Sequence, residues 1–86
     1  MDITYSSAFL RQLKKLEPSL QNEAVEKIEL LKNRENHRQL KIHKLKGILK
    51  GRYSFSVNYA YRIIFRPINN HEIVLLAIGD HDVYKQ

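Results

Sequence analysis

Two histidines and a tyrosine lie where acid–base chemistry would be possible. His81 and Tyr84 follow the apolar run of residues 73–78, and His43 lies in a segment rich in lysine and arginine. Histidine exists in both protonation states near neutral pH, so one imidazole can take a proton while another donates one. Arginine stays charged and binds phosphate through two N–H groups at once. Metal-free cleavage of an RNA phosphodiester needs this combination: a base for the 2′-hydroxyl, an acid for the 5′-oxygen and cations for the phosphorane.

The positive charge of the chain is concentrated in one segment. The formal net charge is +6, and residues 32–52 contain eight of the 15 basic residues against a single acid, Glu35. We call this set the basic block; its members are Lys32, Arg34, Arg38, Lys41, Lys44, Lys46, Lys50 and Arg52. A local excess of cations attracts a polyanion and steers its approach, which favours nucleic acid or an acidic protein segment as the partner. The alternative is a solvated basic loop without a partner.

The composition excludes several classes of site. The chain has no cysteine, so it has no disulfide and no cysteine-ligated zinc or iron–sulfur site. Residues 80–82 read Asp-His-Asp, but adjacent side chains of an extended chain point to opposite sides and no third ligand is spaced to join them. The sequence has neither a glycine-rich phosphate loop nor a serine in a nucleophile elbow. We therefore expect no metal and no cofactor.

The length of 86 residues allows one domain with one small core. No apolar run approaches the ~20 residues that a membrane span needs. The N-terminus has neither a basic start nor an apolar signal core. We therefore expect a cytoplasmic protein that does not contact the membrane.

The first third of the chain predicts a helical hairpin. Ser6 or Ser7 can cap a first helix, whose apolar residues recur at helical spacing between positions 9 and 16. Pro18 suits the first position of a second helix. The apolar stripe of this second helix consists of Leu20, Ala24, Ile28 and Leu31.

One short strand is predicted before the hairpin, at residues 3–5, and three strands are predicted after it. Residues 53–57 and 61–66 alternate between two faces, Pro67 is expected to end the second of these strands, and residues 73–78 are apolar on both faces. The order β-α-α-β-β-β predicts an α+β fold with a single domain over residues 1–86. We expect a small antiparallel sheet of four strands, with the first strand beside the last and the helical hairpin on one face.

The strand pattern also predicts where the arginines point. If Tyr61, Ile63 and Phe65 face the helices, Arg62 and Arg66 lie on the opposite face of the sheet. Nothing in the sequence is expected to cover that face. A cationic surface with a histidine at its edge is the expected result.

The whole chain resembles the RelE/ParE superfamily of bacterial toxins. The resemblance rests on the element order, on Leu-Lys-Gly at residues 45–47, on Tyr-Arg-Ile-Ile-Phe at residues 61–65, and on Ile-Gly-Asp-His at residues 78–81 followed by Tyr84. Because a histidine follows the last strand, the chain is more similar to the RNA-cleaving branches typified by YafQ, YoeB and HigB than to the gyrase-poisoning ParE branch.

The resemblance implies a toxin of a toxin–antitoxin pair that acts as a ribosome-dependent mRNA endoribonuclease. Such toxins bind mRNA in the ribosomal A site and cleave it without a metal, leaving a 2′,3′-cyclic phosphate and a 5′-hydroxyl. The resemblance also implies a cognate antitoxin that covers the toxin. Operator DNA would be contacted only through the toxin–antitoxin complex.

Carried over by position, the resemblance implies a role for each candidate residue. His81 would protonate the leaving 5′-oxygen, and His43 would be the general base. Arg62 would stabilise the phosphate, and Tyr84 would stack on the base or orient it. The cations expected to bind the RNA backbone are Lys44, Lys46, Arg52 and Arg66.

The chain departs from some YafQ-like relatives, which place a further histidine or aspartate around the turn between the second and third strands. Ser56, Asn58 and Ala60 occupy that stretch here, and none of them is an acid or a base near neutral pH. His43 is therefore assigned as the base because it is available. Three alternatives stay open: a gyrase-inhibiting ParE-type toxin without nuclease activity, an inactive toxin-like remnant, and a general RNA-binding module.

Overall fold

The structure is a computed structural model that describes residues 1–85, so Gln86 of the predicted domain lies outside it. In this part of the chain, two helices pack on one face of a five-stranded sheet. The elements are β1 (Asp2–Tyr5), α1 (Ser7–Lys14), α2 (Pro18–Leu31), β2 (His43–Lys44), β3 (Tyr53–Ser56), β4 (Arg62–Asn69) and β5 (Glu72–Gly79). Three 3₁₀ turns lie at Arg34–Asn36, Gly47–Leu49 and His81–Lys85. The predicted α+β class and the helical hairpin on a small, mostly antiparallel sheet are confirmed.

Both helices begin where the local sequence favours a helix start. Ser6 caps α1, because its hydroxyl oxygen accepts a hydrogen bond from the Phe9 N–H at 3.0 Å and so satisfies one of the free donors of the first turn. Pro18 is the first residue of α2, where its missing N–H is not needed. The apolar stripe of α2 faces the core as predicted, and its buried members are Ala24, Ile28 and Leu31.

The sheet differs from the four antiparallel strands that the sequence led us to expect. Its order is β1-β5-β4-β3-β2, and β1 runs parallel to β5 while the other neighbours are antiparallel. The fifth strand, β2, lies within the segment of residues 32–52 that contains the basic block. The parallel direction brings the start of α1 to β5, where the Ser6 N–H donates to the Leu75 carbonyl at 3.0 Å. Alternation of side chains does not reveal strand direction, because a strand presents the same residues to each face in either direction.

Pro67 does not end β4, so that expectation was wrong. The strand continues to Asn69 in pairing with β5, through a register irregularity between Pro67 and Asn69. On the other side, β3 pairs with β4 only from Arg62 to Phe65. Pro67 therefore lies where β4 has become an edge strand, and edge positions tolerate a residue that cannot donate to the ladder.

The face of the sheet opposite the helices, which we call the outer face, is partly covered. This corrects the expectation of an uncovered face. The 3₁₀ turn His81–Lys85, which we call the C-terminal turn, folds back over the sheet and buries Val83. The buried residues of this outer cluster are Ile64, Ala77 and Val83, and Leu45, Leu76 and Tyr84 pack against them. The polar groups of the outer face therefore surround a small apolar centre.

The longer of the two helices has 14 residues. Within residues 1–85, no helix combines the length and the apolar character that crossing a membrane requires.

Candidate functional site

Strand register places His43 and Arg62 on the same face of the sheet. His43 pairs with Ser54, which pairs with Ile64 of the outer cluster, and Ser56 pairs with Arg62 in the next row. Directly paired residues of antiparallel strands point to the same face. His43, Ser54, Ser56 and Arg62 are therefore all outer-face residues, although they come from three different strands.

A pocket of about 460 Å³ opens between these strands and α2. We call it the cationic pocket; the lining residues that matter for its chemistry are Lys27, Lys41, His43, Ser56, Tyr59 and Arg62. Among residues 1–85, none of those that line it is an aspartate or a glutamate. Three permanent cations and an imidazole facing one space form an environment that favours a phosphate group.

Ser56 orients the guanidinium of Arg62. The Nη1 of Arg62 donates a hydrogen bond to the Ser56 hydroxyl across the β3–β4 pair. A guanidinium has five N–H donors in a rigid fork, so this bond leaves donors for a phosphate while it restricts the rotation of the side chain. Ser56 is itself neither an acid nor a base near neutral pH, and in this chain it positions a cation.

The C-terminal turn is attached to the outer face through Val83 and Tyr84. Val83 is 1% exposed in the outer cluster. The Tyr84 hydroxyl donates to the hydroxyl of Ser54 at 3.2 Å, and Ser54 is completely buried. The Tyr84 ring is half-buried against the outer cluster, and its predicted role at the RNA base stays a prediction.

His81 is the first residue of this turn and is exposed. Gly79, two residues earlier, pairs with Arg62. The C-terminal turn therefore begins two residues after the strand position that is paired with Arg62. Asp80 does not bond to the imidazole; its carboxylate accepts a hydrogen bond from the Asp82 N–H at 2.9 Å. Within the described residues, the His81 side chain has no hydrogen-bond or ion-pair partner, so both ring nitrogens are available to a ligand.

The other predicted cations lie away from the cationic pocket. Lys44 pairs with Tyr53 in a row that faces the helices, and Arg66 pairs with Val74 about 13 Å along β4 from Arg62. Lys46 precedes the turn Gly47–Leu49 and is exposed. Arg52 is half-buried, and its carbonyl accepts a hydrogen bond from the Leu45 N–H at 2.9 Å. Their predicted role in RNA binding stays a prediction.

Of the six lining residues named above, four were not assigned a role in the site from the sequence: Lys27, Lys41, Ser56 and Tyr59. Lys41 alone among these four was expected to contribute, as a member of the basic block. The sequence pattern predicts that Lys27 is a solvent-exposed helix residue. Its position next to the sheet depends on the packing of α2, which the pattern does not reveal. Lys41 has a φ of 54°, in the left-handed region that residues with a side chain seldom adopt. One signal was available for Tyr59, since an aromatic residue at the centre of a predicted turn is rarely there for packing.

Carboxylates of the described residues neutralise little of the basic block. Within the described structure, Lys32 is the one member of the block with an ion pair, at 2.9 Å from Glu29. The hydrogen bond to this carboxylate, together with its negative charge, raises the pKa of Lys32 above its usual value. The other cations remain open to an external polyanion. In residues 1–85, no three histidine, aspartate or glutamate side chains cluster as metal ligands would.

Comparison with known proteins identifies a family. A family model described as the RelE-like toxin of type II toxin-antitoxin system HigB matches residues 8–81. No curated protein matches the chain.

Three solved structures share the fold of this chain at low sequence identity. The chain is similar to YafQ from E. coli strain BL21(DE3), with a TM-score of 0.80, 19% identity, and coverage of 99% of this chain and 98% of that chain. It is similar to a chain of the RelBE2 toxin–antitoxin complex from Mycobacterium tuberculosis, with a TM-score of 0.69, 23% identity and coverage of 93% and 96%. It is also similar to a chain of the YoeB–YefM complex from Staphylococcus aureus, with a TM-score of 0.72, 21% identity and coverage of 94% and 97%. These likenesses show the fold.

Proposed function

Since the chain belongs to the HigB-like family of RelE-type toxins of type II toxin–antitoxin systems, we propose that it acts as a ribosome-dependent mRNA endoribonuclease that needs no metal. One observation supports this proposal above the others. His43 and Arg62 line one pocket with two lysines, and none of the described residues that line it has a carboxylate. A proton acceptor next to clustered phosphate-binding cations is what metal-free RNA cleavage needs.

The proposed reaction is an attack by the ribose 2′-oxygen on the neighbouring phosphate. His43 takes the proton of the 2′-hydroxyl as the new O–P bond forms. Arg62, oriented by Ser56, stabilises the negative charge of the phosphorane. His81 donates a proton to the 5′-oxygen as the O–P bond to it breaks. The products are a 2′,3′-cyclic phosphate and a 5′-hydroxyl, and the proton taken by His43 balances the one given by His81.

We propose that a cognate antitoxin inhibits the protein by covering this surface. Two of the similar solved structures are toxin–antitoxin complexes by their names. Within the described residues, Lys32 is the one cation of the basic block that pairs with a carboxylate, so an acidic antitoxin segment would complement the others. We expect the bound segment to cover Arg52, Arg62 and His81. Contact with operator DNA would come only through the complex, and the toxin would act in the cytoplasm.

The test compares His81→Ala with a matched control. Both proteins are induced in bacteria, and 5′-end mapping of a reporter mRNA is combined with single-turnover cleavage on programmed ribosomes. His81→Ala is expected to slow cleavage by ~10²- to 10⁴-fold, the usual contribution of a general acid. His71→Ala is the control, because His71 is also exposed but lies in the β4–β5 turn, remote from the cationic pocket. It should cleave like the wild type.

The outcomes separate the remaining possibilities. In-frame cuts that disappear when translation is blocked support the proposed function. Growth arrest without such cuts would contradict the nuclease and indicate a gyrase-directed toxin. The absence of both arrest and cuts would indicate an inactive remnant or a plain binding module.

A further inference from the structure

Tyr59 presents an aromatic ring to solvent at the tip of the turn between β3 and β4. It is 95% exposed, more than any other large apolar or aromatic side chain of the described residues. A single exposed ring is not evidence of a binding site by itself. The surroundings of this ring, however, point to a ligand in three independent ways.

The turn that holds Tyr59 is firmly fixed. The side-chain oxygen of Asn58 accepts hydrogen bonds from the Ala60 and Tyr61 N–H groups, both at 2.8 Å. The side-chain nitrogen of Asn58 donates to Glu23 of α2 at 2.8 Å. The turn is thereby closed by its own hydrogen bonds and attached to α2. A ring on a fixed backbone loses little conformational entropy when it binds a partner, which favours binding.

The ring also lies on the edge of the cationic pocket. Tyr59 lines that pocket together with Lys27, Lys41 and Arg62. Single-stranded nucleic acid binds to surfaces that combine cations for its phosphates with aromatic rings on which its bases stack. Tyr59 and its neighbours provide both components.

A second pocket that Tyr59 also lines has the opposite charge. It has a volume of about 540 Å³, and Glu17, Glu23 and Glu26 are among its lining residues. Carboxylates repel the phosphate backbone, so an RNA strand would approach Tyr59 from the side of Lys27 and Lys41. The charge difference therefore gives the bound strand a direction.

We propose that Tyr59 stacks on the base of the nucleotide next to the phosphate held by Arg62, with Lys27 and Lys41 contacting the flanking phosphates. This inference rests on the proposed function and names a substrate contact that sequence reasoning did not assign. The hydroxyl of Tyr84 is engaged by Ser54 and its ring packs on the outer cluster, whereas the Tyr59 ring has both faces open to solvent. Since every base has an aromatic face, the contact increases affinity without requiring a particular base.

The test measures stacking separately from cleavage. The full-length toxin is titrated into ribosomes programmed with an mRNA that has 2-aminopurine in the A-site codon and a 2′-O-methyl group at the scissile position, which prevents cleavage. Stacking of 2-aminopurine on a ring quenches its fluorescence. Cleavage of the unmodified mRNA is measured in parallel.

The variants distinguish stacking by an aromatic ring from contact with a large aliphatic side chain. Tyr59→Leu is expected to weaken binding by about 5- to 150-fold and to abolish the additional quenching, which corresponds to the loss of one stacked base. Tyr59→Phe and Tyr59→Trp should bind and quench like the wild type. Ile48→Ala is the matched control, because Ile48 is 93% exposed and lies outside the cationic pocket. Thermal unfolding should be the same for all four variants.

Two results would overturn the inference, and they are distinguishable. If the wild type cleaves mRNA and Tyr59→Leu binds and quenches equally well, Tyr59 does not stack, although the nuclease stands. If the wild type neither binds the programmed ribosome nor cleaves, the proposed function fails and the stacking contact fails with it.

Discussion

The hydrogen bond between Tyr84 and Ser54 predicts an unequal effect of removing either partner. Ser54 is completely buried, and in the described structure its hydroxyl bonds only to the Tyr84 hydroxyl. Tyr84→Phe therefore leaves a buried hydroxyl without a partner. Ser54→Ala leaves a phenol that is half-buried and can still reach water. The first change should destabilise the protein more than the second.

The magnitudes follow from the desolvation of each group. An unpaired buried hydroxyl costs about 1–3 kcal/mol, whereas the net loss of an ordinary hydrogen bond costs about 0.5–1.5 kcal/mol. We expect the free energy of unfolding to fall by roughly 2 kcal/mol in Tyr84→Phe and roughly 1 kcal/mol in Ser54→Ala. The double variant removes both polar groups and should lose no more than about 1 kcal/mol, because no unpaired hydroxyl remains.

Urea unfolding of the four proteins measures these values in a double-mutant cycle. Hydrogen exchange adds a local measure, since the Val83 N–H donates to the Asp80 carbonyl at 3.0 Å within the C-terminal turn. This amide should exchange up to about 30-fold faster in Tyr84→Phe if the lost free energy is that of docking the turn. Additive losses in the cycle, or a loss below about 0.5 kcal/mol in Tyr84→Phe, would refute the reasoning.

Three further changes test the surrounding structure. Val83→Ala removes two buried methyl groups and should lower the free energy of unfolding by about 2 kcal/mol in urea titrations; an unchanged midpoint would mean that the C-terminal turn is not docked. Lys41→Gly should leave stability unchanged or raise it by up to about 1 kcal/mol, because glycine accepts the φ of 54° without strain. The same variant should make the plot of log affinity for mRNA against log salt less steep by about 0.7, as expected when one phosphate contact is lost. An unchanged slope would place Lys41 outside the interface. Asn58→Ala loses three hydrogen bonds around the turn and should cost about 1–3 kcal/mol in thermal or urea unfolding; it should also reduce the quenching assigned to Tyr59, and full quenching would show that the turn needs no such fixing.

The features predicted correctly from the sequence are those with local causes. Ser6 caps α1 and Pro18 begins α2, because a cap or a first-turn proline acts within a few residues. The apolar periods of the helices and of β3, β4 and β5 identified the residues that face the core. The family resemblance rested on the same local motifs, and the family is confirmed.

The features predicted wrongly depend on contacts between distant segments. The direction of β1 is set by how the start of α1 meets Leu75 of β5. β4 continues past Pro67 because β3 pairs with β4 only as far as Phe65, so no strand on that side needs an N–H from Pro67. The outer face is partly covered because Val83 packs on Ile64 and Ala77. None of these follows from periodicity, which describes one segment at a time.

The sequence by itself determined the chemical groups that this protein can use and the elements that hold them: the imidazoles, Arg62, the basic block, the helical hairpin and the alternating strands. It could do so because residue type, capping and periodicity are local properties. Only the tertiary structure decided that His43 and Arg62 share a pocket with Lys27 and Tyr59, and that Ser56 orients the guanidinium. These groups meet through strand pairing and through the packing of α2 on the sheet. Such contacts join residues that are far apart in the chain, and they depend on the balance of burial and hydrogen bonding over the whole fold.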